Sequence, residues 1–143
     1  MKIGFASLAA ISMLVTSAWA ATTKPASVDE SASFLIDETA SERIWKENTP
    51  ARVSKLYPRA RFRFVSEVGG GFNEGKMCVV SARAMLLPVI LLPLQGRKMT
   101  YPPLKSATAY DAMPNLSREQ CQELARTQLK NAIHAVMSAL AAG

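Results

Sequence analysis

The sequence predicts an α+β fold: a small antiparallel sheet packed by a C-terminal amphipathic helix and stapled by one disulfide. Three observations carry that prediction. Apolar residues recur at every second position between about 59 and 84, and with a helical period from about 118 to 141. The chain also holds two cysteines, Cys78 and Cys121, one in each of those regions.

The sheet comes first. In "RARFRFVSEV", Ala60, Phe62, Phe64, Ser66 and Val68 point one way, while Arg59, Arg61, Arg63, Val65 and Glu67 point the other. That alternation describes a strand with one face buried and one wet. After "GGGFNEG" the chain returns as "KMCVVSARA", with Cys78, Val80, Ala82 and Ala84 on one face. Two such runs predict an antiparallel hairpin over 59–84 with a connection of about seven residues. Residues 98–101 are a candidate third strand, stopped by Pro102 and Pro103.

The helix is marked at its start by Ser117 and Gln120, the spacing of a capping box. At 100° per residue, Ala125, Leu129, Ala132, Ile133, Val136, Met137 and Leu140 share one side. Gln120, Glu123, Thr127, Lys130, Asn131, His134 and Ser138 share the other. Ala125, Ala132, Ala135 and Ala139 group toward one flank, which predicts a close approach to the sheet, and Cys121 lies on that flank. A Cys78–Cys121 bridge then fastens the first turns of the helix to the buried face of the second strand. Closing that loop is worth up to about 4 kcal/mol in the chain-entropy model.

Upstream, residues 1–20 carry the pattern of a cleaved secretory signal peptide. Lys2 starts it, an apolar run from Ile3 to Val15 follows, and Ala18-Trp19-Ala20 places small residues where a signal peptidase reads. Residues 21–48 read as an acidic, largely flexible leader, with a short helix capped by Ser41 that sets Ile44 and Trp45 against the body. Residues 49–143 then form a single domain. Its first element is a two-turn helix with Thr49 at the N-cap and Pro50 at the first helical position, burying Val53, Leu56 and Tyr57 and ending before Pro58.

Charge is uneven along the 143 residues, whose formal net charge is +6. Residues 21–50 hold three basic against six acidic side chains, a net of −3, and residues from 51 onward hold thirteen against five, a net of +8. A basic body suits an anionic partner, such as an acidic protein or an anionic membrane surface.

"MLLPVILLPL", residues 85–94, has no polar side chain. A membrane span here would run from Met77 to Leu94, eighteen residues and near the lower limit; it would carry Arg83 well inside, and Pro88 and Pro93 would each remove a helix hydrogen bond. Two readings stay open: a strand buried on both faces, covered by the C-terminal helix and the 49–57 helix, or an apolar docking edge centred on Leu91.

Chemistry is sparse. No nucleophile elbow, phosphate-cradling loop or dinucleotide turn is present, no metal-ligand spacing accompanies the cysteines, and the acid pairs lie in the leader. His134 is the one imidazole, on the wet face of the helix. No cofactor and no catalytic residue are expected. What remains is an arginine row, Arg59, Arg61 and Arg63, joined by Arg83 on the returning strand, able to bind phosphate or carboxylate groups of an extended partner. Nucleic acid is not expected, because Phe62 and Phe64 fall on the opposite face from these arginines and could not stack bases beside them. The sequence therefore predicts a non-enzymatic, exported protein that binds another macromolecule through Arg59, Arg61, Arg63, Arg83 and Leu91. An envelope protein, as target of an accessory factor or an inhibitor, is the first expected partner. An anionic membrane surface is the second, and a small hydrolase using His134 the least favoured reading.

Overall fold

The structure is a computed structural model that describes residues 27–29, 31–89 and 102–142. Four strands and three helices follow in the order β1 (Ser27–Asp29), α1 (Glu38–Asn48), α2 (Ala51–Leu56), β2 (Phe62–Phe72), β3 (Met77–Pro88), β4 (Lys105–Pro114) and α3 (Arg118–Ala141). One sheet runs β1-β2-β3-β4, with β2, β3 and β4 antiparallel and β1 parallel to β2. A parallel neighbour needs a crossover, and α1 with α2 supplies it. The fold is α+β, as the alternating and helical periods predict.

The hairpin is longer and tighter than its sequence suggests. β2 runs on through Gly69, Gly70 and Gly71, which pair with Ser81, Val80 and Val79, so the connection is only 73–76. Asn73 closes it: its N–H donates to the Met77 carbonyl, and its side chain accepts from the Met77 N–H. Glycine is required at position 70. The backbone there has φ +123°, and a Cβ would stand 2.0 Å from the Val79 carbonyl oxygen. The glycines therefore extend the ladder where a loop was expected.

At its other end β2 begins at Phe62, not at Arg59. The Pro58 carbonyl accepts hydrogen bonds from both the Arg61 and Phe62 N–H groups, which turns the chain over 58–61 and leaves Arg59 and Arg61 outside the strand. The third antiparallel strand is β4, a segment that sequence reading left unassigned; the candidate strand at 98–101 lies outside the described residues.

The core lies between one sheet face and the helices. Phe64 and Val68 of β2 meet Cys78, Val80, Ala82, Ala84 and Leu86 of β3 there, with Ala107 and Ala109 of β4 packed against them. α3 covers this face with Cys121, Leu124, Ala125, Leu129, Ala132, Ile133, Val136, Met137 and Leu140. Its N-terminus carries both bonds of the capping box, Gln120 N–H to Ser117 Oγ and Ser117 N–H to Gln120 Oε1. Ala125 and Ala132 are buried as expected, but Ala135 and Ala139 are exposed. The Cys78–Cys121 disulfide is formed, with an S–S distance of 2.01 Å and a Cα–Cα distance of 5.8 Å.

The leader expectation is revised. Leu35, Ile36 and Trp45 belong to the core, and Ser27–Asp29 pair with Phe64–Ser66, so residues before 49 complete the folded body. Asp37, not Ser41, caps α1, accepting from the Ala40 N–H. Ser41 faces inward instead, where it is wholly buried. Thr49 does not cap α2 either; it ends α1, its Oγ1 donating to the Trp45 carbonyl, and Pro50 occupies the N-cap of α2. Of the apolar side chains expected to seat that helix, Val53 is buried while Leu56 is half exposed. α2 packs beside α3, not on the opposite sheet face.

Candidate binding surface

β2 and β3 pair Arg63 with Leu87, Val65 with Met85, Glu67 with Arg83, and Gly69 with Ser81. β3 and β4 continue those rows, placing Ser106 beside Met85, Thr108 beside Arg83 and Tyr110 beside Ser81. Because side chains alternate along a strand, all of these share the face away from the core. No described helix packs on it. Its rows read apolar, charged and hydroxylic in turn. Val65 and Met85 form an apolar row that is itself nearly buried, at 3% and 5% exposure. The next row holds the Arg83–Glu67 ion pair at 3.9 Å. A shallow depression is lined there by Glu67, Gly69, Ser81, Arg83, Ser106 and Thr108. Tyr110 stands at the rim, 81% exposed.

The expected arginine row is thus divided. Arg63 and Arg83 lie on one face, separated by the Val65–Met85 row, and Arg83 is ion-paired with the in-register Glu67. Arg59 and Arg61 sit in the preceding turn, and the Arg61 guanidinium lies 5.9 Å from the centre of the Phe62 ring. Leu91 lies outside the described residues. Sequence reading missed Ser106, Thr108 and Tyr110. Their signal was the alternation "SATAY", whose inward members, Ala107 and Ala109, are alanines and so gave little hydropathic contrast.

Ser66 explains the one hydroxyl on the buried face of β2. Its Oγ donates to Asp29 Oδ1 at 3.1 Å and accepts from Trp45 Nε1 at 3.2 Å. With its proton committed to Asp29, the 2.9 Å contact to Ser41 Oγ has Ser41 as the donor. Ser31 Oγ also donates to Asp29 Oδ1 and accepts from the Val68 N–H. This network ties β1 and α1 to β2. Its members bond one another, so the network braces these three elements.

Comparison with protein-family models, curated proteins and solved structures finds no match for this chain.

The remaining chemistry is limited. His134 Nε2 is 2.7 Å from Asn48 Oδ1, beside a shallow depression formed by Glu47, Thr49, Pro50, Met137 and Ser138. No base among the described residues is hydrogen-bonded to Ser138 there. Among the described residues no group of three or more His, Cys, Asp or Glu side chains is placed to hold a metal ion. No described helix is long and apolar enough to cross a membrane. The disulfide is consistent with an exported protein, since such bonds persist in oxidising compartments.

Proposed function

We propose that the protein is a non-enzymatic, exported, periplasmic factor that binds another macromolecule through the helix-free face of its sheet, as an envelope accessory factor or an inhibitor of an envelope enzyme. The observation that carries this reading is that face itself. Among the described residues it presents Arg63, the Arg83–Glu67 pair and the hydroxyls of Ser81, Ser106, Thr108 and Tyr110 on a rigid sheet, with no helix over them. Charged and hydroxyl groups held on strands are preorganised for recognition, which lowers the entropic cost of association. The disulfide and the N-terminal signal pattern supply the export part of the reading.

The test places a photo-crosslinking residue at Ser81, in the middle of that face, in the protein expressed in its native cells. The expected result is a cross-link to one envelope protein, lost when Arg63 and Arg83 are both changed to Glu while the oxidised fold persists. Phospholipid adducts would instead move the reading to an anionic membrane surface. Labelling within the chain alone would remove this face as a binding site. Cleavage after Ala20 is checked by the N-terminal sequence of the mature protein; an intact Met1 in a cytoplasmic fraction would overturn the export assignment.

A further inference from the structure

β4 is an edge of the sheet, ten residues long, with no neighbour on its outer side among the described residues. The bond from Asn115 N–H to the Lys76 carbonyl sets the phase of its ladder with β3. Odd-numbered residues of β4 therefore form the closely bonded pairs with β3, and the backbone groups of Ser106, Thr108, Tyr110 and Ala112 point to the free edge. A bare edge of this kind is a template for strand addition unless it is blunted. Here the blunting is partial and lies at one end. Pro114 has no N–H to offer, and the Ala112 N–H is already taken by Asp111 Oδ1 at 2.8 Å. The unguarded stretch is 106–110.

We propose that this edge pairs with the same edge of a second copy of the chain, about a twofold axis at Thr108. Antiparallel pairing in that register sets Thr108 opposite Thr108, Ser106 opposite Tyr110 and Tyr110 opposite Ser106. It uses every edge-facing group of the unguarded stretch and stops where the guarded groups begin. The same register sets Lys105 opposite Asp111 twice, once at each end, in the non-bonded positions where cross-strand side chains approach most closely. No other register centred within the stretch forms both pairs. Asp111 keeps its second carboxylate oxygen for the lysine while the first stays on the Ala112 N–H.

The helix layer tolerates the approach. α3 meets α1 and its preceding turn through His134 and Gln122, which bond Asn48 and the Phe34 carbonyl, so its other flank lies toward β4. By helical periodicity that flank carries Leu124, Gln128, Asn131, Ala135 and Ala139, none of them charged. The exposed alanines that do not seat α3 on its own sheet would face the second copy. The twofold axis makes one continuous sheet of eight described strands and joins the two faces that bear no described helix edge to edge. This inference does not depend on the proposed partner of that face.

Sedimentation equilibrium of the oxidised mature protein at low salt, over a range of concentrations, tests it. The expected result is a reversible dimer. Lys105→Glu and Asp111→Lys should each weaken it about tenfold or more, because each converts both attractive pairs to repulsive ones. The double variant, Lys105→Glu with Asp111→Lys, should recover dimerisation. Lys105 is exposed, and circular dichroism of each variant establishes that the fold is kept. A protein that stays monomeric throughout would overturn the proposal. So would a dimer indifferent to both single reversals, or one that the double variant does not restore.

Discussion

Ser66 shows how one side chain determines what its surroundings must be. A serine on the buried face of a strand would normally cost stability, since a hydroxyl stripped of water needs partners. Here it has three, Asp29, Ser41 and Trp45, from two other elements. Ser66→Ala leaves the Trp45 indole N–H and the Ser41 hydroxyl without their acceptor. The expected loss is about 1–3 kcal/mol, read as a lower urea midpoint by the fluorescence of Trp45, the sole tryptophan beyond position 20. A Ser66→Ala protein as stable as the parent would mean that the network contributes no net energy. The indole also packs against Phe64, with ring centroids 5.1 Å apart, so the same tryptophan reports both the polar and the apolar side of the contact.

At the scale of elements, α3 was the most legible, because every level of its sequence agrees. The apolar period, the capping box and the cysteine all place the same face inward; the residues the period selects are buried, joined by Leu124 and Gln128, while Ala135 and Ala139 on the flank are exposed. Ser117→Ala removes one of the two cap bonds and should cost about 1 kcal/mol, seen as a small drop in melting temperature with the fold unchanged. Glu119, next to the cap, has its carboxyl held below the usual range, first by a hydrogen bond from its own backbone N–H and then by Ser117. Its contribution to the helix start is therefore present above the ordinary carboxylate range and fades as pH falls through the lowered value. The strands were less legible. β2 and β3 are marked by Phe and Val, whereas β4 alternates alanine with Ser, Thr and Tyr, too little contrast to stand out. The arginines at 59 and 61 extended the period of β2 by coincidence, and only the two hydrogen bonds accepted by Pro58 reveal that the strand has not yet begun. Ser41 resembled a cap because serines usually are; its burial against Ser66 is a tertiary contact, which no local pattern encodes.

For the whole molecule, the disulfide joins the layer of helices to the layer of strands. It closes a separation of 43 residues between β3 and the first turn of α3. Cys78→Ala with Cys121→Ala should lower stability by about 2–4 kcal/mol, less if the paired alanines leave a cavity that the helix can close. Chemical denaturation of that variant, against the oxidised parent, measures it. Native-like stability would show that the core alone holds α3 in place. The pairing itself was legible, from two cysteines whose positions converge on one buried face. Which face of the sheet the helices would leave free was not. α2 was expected opposite α3 and lies beside it, because Val53 joins the same core as Leu35 and Trp45. That placement leaves this face without a helix among the described residues, so the candidate site emerged from packing and not from any motif.

The two margins of the sheet differ in a way that bears on assembly. On the β2 side, Ser27–Asp29 add a short parallel strand, and beyond it the Val68 carbonyl and N–H are taken by Ala32 and Ser31. The β4 side has no such cover among the described residues. In the language of polymer chemistry the described sheet is closer to monofunctional, since the edge that β1 leaves is three residues long and that of β4 is ten. A monomer with two reactive ends grows into a chain, whereas one with a single reactive end is consumed in its first coupling and terminates growth. Shortening one margin to three residues from within its own sequence thus favours a closed pair over open-ended growth. Deleting residues up to Asp29 would test this by lengthening the second margin: the truncated protein should pass from defined species to open-ended, thioflavin-positive aggregates, while a chain starting at Ala21, at the same concentration, should not.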